Sequence, residues 1–217
     1  MLLLATLLRQ IYDEVQILPY SGPKLTEVLA LSATSELSYL TKLTALHEKL
    51  GLAASLLKDA KLGLCKQPLC AEAQRLVSVG DDVFGRPQRL APAAAQAWMQ
   101  IQKEASKQGI TLQLVSAYRS IDYQAEIIAR KLSAGEALSD ILKVSAAPGF
   151  SEHHTGNAVD VTTEGVEALD EAFDETECFR WLLAYAGKFG FVLTYPRDNP
   201  FGIAYEPWHW CYHPGSV

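Results

Sequence analysis

Two short windows of the 217-residue chain carry side chains that can do chemistry together. In Gly149-Phe-Ser-Glu-His-His-Thr-Gly-Asn-Ala-Val-Asp-Val-Thr162, His153 offers a neutral nitrogen donor and Asp160 a hard oxygen donor. The glycine-containing turn between them can fold both back onto one ion. Close to the C-terminal end, Glu206-Pro-Trp-His209 supplies a second imidazole and leaves a carboxylate beside it to move protons. Two histidines and one aspartate with an open fourth position are the donor set of a catalytic zinc ion, whereas structural zinc is closed by four protein ligands. Singly, each residue has a plain alternative as a surface histidine or a solvated acid. Their conjunction in two windows outweighs it.

Several neighbours compete for or support these roles. If the segment around His153 is extended, consecutive side chains point oppositely, so His154 faces away from the ion. His213 lies in a Pro-Gly tail and is expected in solvent. Glu206 and His209 are three apart, which a regular strand would place on opposite faces, so Pro207 must turn the chain to bring both to one cleft. Cys211, two residues past His209, shares its face in a strand and is expected as a buried neutral thiol, with zinc ligation as the alternative. A third window, Ser116-Ala-Tyr118-Arg119-Ser120, follows a predicted strand. Arg119 keeps its charge at every accessible pH and suits an oxyanion or a substrate carboxylate equally well.

The elements that must position these residues follow from periodicity and punctuation. Met1 to about Val79 reads as helical: a packed amphipathic first helix, then Leu37, Leu40, Leu43, Leu46 and Leu50 at helical spacing with Gly51 as the stop. His47 sits in that second helix as a satisfied or exposed helical histidine. Gly80-Asp-Asp-Val-Phe-Gly-Arg-Pro87 has loop composition, and its paired acids are expected in solvent. That loop divides a helical region, residues 1–79, from a catalytic module, residues 80–217. A helix from Pro92 to about Gln108, a strand over Ile110–Ala117, and a helix capped by Ser120 or Asp122 and running to about Leu132 come next. A short helix over Leu138–Val144 leads into the first window. Beyond it come an acidic connection, a helix over Glu175–Phe189, a strand over Phe191–Tyr195 and a last strand from about Trp208. The class is α+β: a small antiparallel sheet with flanking helices, preceded by a helical N-terminal region.

Composition narrows the partners. A hydrophobic content of 49% supports a packed core, and a net charge of -6 with no Lys/Arg block argues against a nucleic-acid surface. No stretch approaches the ~20 apolar residues of a membrane span. The start lacks the basic flank and cleavage site of a signal peptide, so a cytoplasmic location is expected. Four cysteines are too few for a disulfide framework in a chain this long.

The windows Ser116-Ala-Tyr-Arg-Ser120, Ser151-Glu-His-His-Thr-Gly-Asn-Ala-Val-Asp160 and Glu206-Pro-Trp-His-Trp210 resemble the zinc D-alanyl-D-alanine carboxypeptidases of vancomycin resistance and cell-wall trimming. These belong to the lysostaphin-type, D-Ala-D-Ala and hedgehog-like metallopeptidase superfamily. The likeness spans roughly Leu90 to Tyr212 and leaves residues 1–79 unexplained. It implies one zinc ion on His153, Asp160 and His209, Glu206 as general base, and Arg119 stabilising the scissile carbonyl. It further implies that Ser151 binds the substrate's terminal carboxylate, for which a turn-capping hydroxyl is the alternative. Ser116, Tyr118, Gln124 and Trp208 are further substrate-contact candidates. Where related sequences carry an arginine two residues beyond the last histidine, this chain has Cys211.

The leading function is therefore removal of a terminal D-alanine, over a D,D or L,D bond, from a peptidoglycan peptide or muropeptide. Such a substrate makes the cell envelope the alternative location. An endopeptidase on the same scaffold differs by an open cleft, and a non-catalytic zinc-holding binding module differs by having no need of Glu206. A serine carboxypeptidase would need more than Ser55-Leu-Leu-Lys58, since Ser21-Gly-Pro-Lys24 fits the same short pattern.

Overall fold

The computed structural model describes residues 33–53, 55–61, 63 and 65–213. The expected first helix and the Ser21/Lys24 pattern lie outside them. Helix α1 (Ala33–Lys49) ends at Gly51, which adopts the left-handed conformation expected of a stop. Leu43 along it and Leu50 just past its end are buried, whereas Leu37 is exposed. A short α2 (Ser55–Lys61) follows, with Ser55 exposed. The helical reading of the first 79 residues fails beyond Lys61: residues 65–76 run without regular structure into strand β1 (Val77–Asp81).

β1 pairs antiparallel with β2 (Pro87–Leu90), so the expected loop is the tip of a hairpin. Asp82 explains why. Its buried carboxylate accepts hydrogen bonds from the Phe84 and Arg86 amides, Arg86 Nε and Gln88 Nε2. Those bonds overcome the cost of burying the carboxylate and hold its pKa below the ordinary value. Asp82 closes a turn and is not solvated.

Helix α3 (Pro92–Lys107) starts with proline in its first turn and buries Ala94, Ala97, Trp98, Ile101 and Ala105 on one face. Strand β3 (Gln113–Ser116) leads to α4 (Ile121–Ser133), whose cap is Ser120, the hydroxyl accepting from the Tyr123 amide. α5 (Leu138–Val144) and a turn through Pro148 deliver the chain to a 3-10 turn, Glu152–Thr155. Strand β4 (Ala158–Thr162), helix α6 (Glu177–Tyr185), strand β5 (Phe191–Leu193) and strand β6 (His209–Tyr212) complete the order. The expected helix to Phe189 tightens into a 3-10 turn after Tyr185.

The main sheet has the order β3-β4-β6-β5, every pair antiparallel. Strand alternation separates its faces. Leu114, Val159, Val161 and Trp210 enter one hydrophobic core with α3 and α6, including Trp98, Phe179, Leu182 and Phe191. Asp160, His209 and Cys211 lie on the opposite face. A second core joins Leu43 of α1 and Leu50 just after it to Ile121, Ile128, Ile141 and Phe150, and so ties the N-terminal helices to the chain just before His153.

Candidate metal centre

Asp160 of β4 and His209 of β6 are direct cross-strand partners on the two central strands. Side chains so paired lie on one face with Cβ atoms ~5 Å apart. The third donor arrives from the 3-10 turn. Ser151 precedes that turn in an extended conformation, and Gly156 ends it at φ 69°, a left-handed value that lets the chain reverse into β4. His153, Asp160 and His209 are all buried, and one ligand atom from each lies within 4.8 Å of the others. His153 Nε2 is 3.1 Å from Asp160 Oδ2, and His209 Nδ1 is 3.0 Å from Asp160 Oδ1.

Outer hydrogen bonds fix which nitrogens face inward. His153 Nδ1 lies 2.6 Å from the Ala117 carbonyl, which can only accept, so Nδ1 carries the proton and Nε2 has its lone pair toward Asp160. His209 Nε2 lies 2.9 Å from Glu152 Oε2, leaving Nδ1 for the centre. Burial opposes charge on His209, but the hydrogen bonds to Asp160 and Glu152 prevail and push its pKa up to about 10. His153 is held below its ordinary value by burial, against the pull of Asp160. Burial would raise Asp160, yet the two histidines drive it far below the usual carboxylate range. A buried anion between two imidazoles, each anchored on its far side, fits a divalent cation.

Glu206 lies at the rim. Its carboxylate is 3.9 Å from His209 Nδ1, and its carbonyl accepts the His209 amide, so the chain turns through Pro207 as expected. Burial raises its pKa to about 7, with His209 opposing and Asp160 assisting. Arg119 is held by its neighbours: Nη1 donates to Gln124 Oε1 at 3.0 Å and Nη2 to Ser116 Oγ at 3.1 Å, with Asp160 Oδ2 at 3.7 Å. A bulge between Leu114 and Ser116 sets Ser116 opposite Asp160 and turns the following loop toward the site.

The remaining candidates divide by their contacts. Gln124 is fully buried, and its amide nitrogen donates to the Ala146 carbonyl, so it orients Arg119 from inside. Tyr118 donates its hydroxyl to Glu72 Oε1. Trp208 is half-buried against the main core and its carbonyl accepts the Val161 amide. Ser151 is buried next to the ligand turn and caps nothing with its hydroxyl.

Two local expectations change, at the segment around His153 and at His213, while His154 turns away as expected. The segment around His153 is a 3-10 turn and not extended. His154 turns away because Nδ1 bonds the Arg119 carbonyl and Nε2 accepts the Gly149 amide, and burial lowers its pKa to about 4. His213 is buried, since its amide donates to the Gly190 carbonyl and continues the β6 edge. Sequence reasoning passed over Glu152 as a spacer between Ser151 and His153. A carboxylate beside a ligand histidine was the available signal. Cys211 is a buried thiol in contact with Glu152, and burial pushes its pKa well above the ordinary value.

The N-terminal residues reach this centre through its loops. Tyr39 Oη donates to the Cys70 carbonyl, and the Cys70 amide donates to Gly149. His47 Nε2 bonds the Pro148 carbonyl at 2.7 Å. The Ala73 amide donates to His154, and Glu72 accepts from the Ile121 amide.

The family model of VanY, D-alanyl-D-alanine carboxypeptidase, matches residues 87–215. YodJ of Bacillus subtilis (strain 168) is 39% identical over 121 residues, 54% of this chain and 43% of its own length. The chain thus spans less than half of that relative. A solved structure of the LdcB LD-carboxypeptidase is similar at TM-score 0.61 and 31% identity, over 72% of this chain and 78% of the other. A mutant of the vancomycin-resistance D,D-pentapeptidase VanY in complex with Zn(II) is similar at TM-score 0.50 and 27% identity, over 64% of this chain and 78% of the other.

Proposed function

The chain belongs to the VanY family of D-alanyl-D-alanine carboxypeptidases, and from that premise we propose that it is a zinc carboxypeptidase releasing the terminal D-alanine of peptidoglycan-derived peptides. The observation that carries this reading is the convergence of His153, Asp160 and His209 with Glu206 beside them and outside the donor set. His153, Asp160 and His209 would hold one zinc ion. Bound there, zinc supplies Lewis-acid charge that eases both deprotonation of a water and polarisation of the scissile carbonyl.

The chain's own residues supply the rest. Glu206, with a pKa raised to about 7, takes the proton of the attacking water and returns one to the departing amine of D-alanine. A base near neutrality accepts and releases that proton with little cost either way. Gln124 and Ser116 hold the Arg119 guanidinium beside Asp160 with donors left for the substrate's carbonyl or terminal carboxylate. Glu152 and the Ala117 carbonyl hold the two imidazoles in orientation.

Incubating the purified chain with tetrapeptide and pentapeptide stems tests this reading and separates L,D from D,D cleavage. D-alanine release that chelator abolishes and zinc restores is the expected result. Release from neither stem, or release indifferent to chelator, overturns it.

A further inference from the structure

Behind His209, on the same face of β6, the structure holds a second set of metal donors, of which the peptidase reading uses only Glu152, as the anchor of the His209 ring. Cys211 and His213 follow His209 at intervals of two, so all three point to one side of the strand. Glu152 and one donor atom each from Cys211 and His213 lie within 4.8 Å of one another, and all three residues are buried. We propose that Glu152, Cys211 and His213 form an accessory site for a second, borderline-soft divalent cation such as zinc.

The chemistry of the donors favours this ion. Carboxylate, thiolate and imidazole are all zinc ligands, with bonds of ~2.0–2.3 Å that separate donors in a tetrahedral shell by ~3.3–3.8 Å. Drawing the trio onto an ion is therefore a small contraction. The thiol of Cys211 loses its proton to solvent as the ion arrives, so a thiolate, a carboxylate and a neutral imidazole balance the double positive charge. A neutral assembly is the cheapest one to bury. Hard cations such as magnesium or calcium select oxygen donors and are disfavoured by the sulfur.

One further feature points to a ligand there. Thr194 Oγ1 lies beside the Glu152 carboxylate, is buried, and makes no hydrogen bond of good geometry among the described residues. Buried hydroxyls are normally satisfied, so this oxygen fits a contact with an ion or its bound water. Glu152 then joins the two sites, since its Oε2 accepts from His209 Nε2 and the same carboxylate belongs to the second donor set.

The test uses the full chain, stripped by chelator under reducing conditions and titrated with cobalt(II) alone. Two equivalents should bind, and the second should develop the near-ultraviolet charge-transfer absorption of a cobalt–thiolate bond. Cys211→Ser should lose that absorption and one equivalent while keeping the other, and His213→Ala should lose the same equivalent should the serine variant fail to fold. A single equivalent with no thiolate band in the unaltered chain overturns the site, as does a band that survives in Cys211→Ser. Either failure leaves the peptidase reading standing, because D-alanine release depends on the other three donors.

Discussion

Replacing Gly156 by alanine, with Gly165 as the matched control, isolates the close approach that sets the ligand turn. Both glycines sit in the left-handed region, at φ +69° and +83°, so a side chain carries the same backbone penalty of ~1–2 kcal/mol at either. Only Gly156 is crowded. A Cβ there would stand 2.8 Å from the Ala91 backbone nitrogen, 3.1 Å from Leu76 Cδ2 and 3.2 Å from Ala73 Cβ, while nothing lies within 4 Å at Gly165. The Ala91 amide cannot retreat freely, because it donates to the Gly156 carbonyl at 2.8 Å. Overpacking of this kind adds ~1–3 kcal/mol, giving ~2–5 kcal/mol in all against ~1–2 kcal/mol for the control. Urea unfolding of the metal-free protein reads the two values, and chelator competition should show weakened zinc binding for Gly156→Ala alone. If the variants agree within ~0.5 kcal/mol, the approach to Ala91 is not rigid and the argument fails.

Three other outcomes follow from the same geometry. A base at Glu206 can act only when ionised, so on the proposed mechanism kcat/KM should rise with pH through a limb centred at or below about 7, since a nearby cation lowers a carboxylate pKa. A flat profile between pH 5 and 8 would count against it. Glu152→Ala removes the anchor on His209 Nε2 and should weaken zinc binding ~10–100-fold, checked by chelator competition, with an unchanged affinity as the contrary result. Because the His209 pKa is pushed up to about 10, the metal-free chain carries a proton there at neutral pH that zinc must displace. Calorimetry in buffers of different ionisation enthalpy should then show about one proton released from His209, and heats independent of buffer would refute it. The same raised pKa stabilises the metal-free fold below the ordinary imidazole value of ~6.5, a contribution lost as pH rises through about 10.

The convergence of His153, Asp160 and His209 was legible because the chemistry of these side chains is carried by residue type. His153, Asp160 and His209 meet where motif spacing and strand pairing require, and the helices over 92–107, 121–133 and 138–144 follow from period and punctuation. What escaped was set by contacts distant in sequence. Asp82 reads as a loop acid until Arg86, Gln88 and the hairpin amides are seen to enclose it. His213 reads as a tail residue until the Gly190 carbonyl extends the strand through it. Glu152 needed His209, 57 positions away, to reveal its partner. The segment from Cys65 to Leu76 has little period of its own, because its order comes from bonds to Gly149, His154 and Ile121.

The central claim, that Glu206 is the base beside a zinc ion on three converging donors, is tested most directly by Glu206→Gln. The account predicts a protein that keeps its zinc on His153, Asp160 and His209 and releases D-alanine ~10²–10⁴-fold more slowly than the unaltered chain. Undiminished release by the zinc-loaded variant would contradict it.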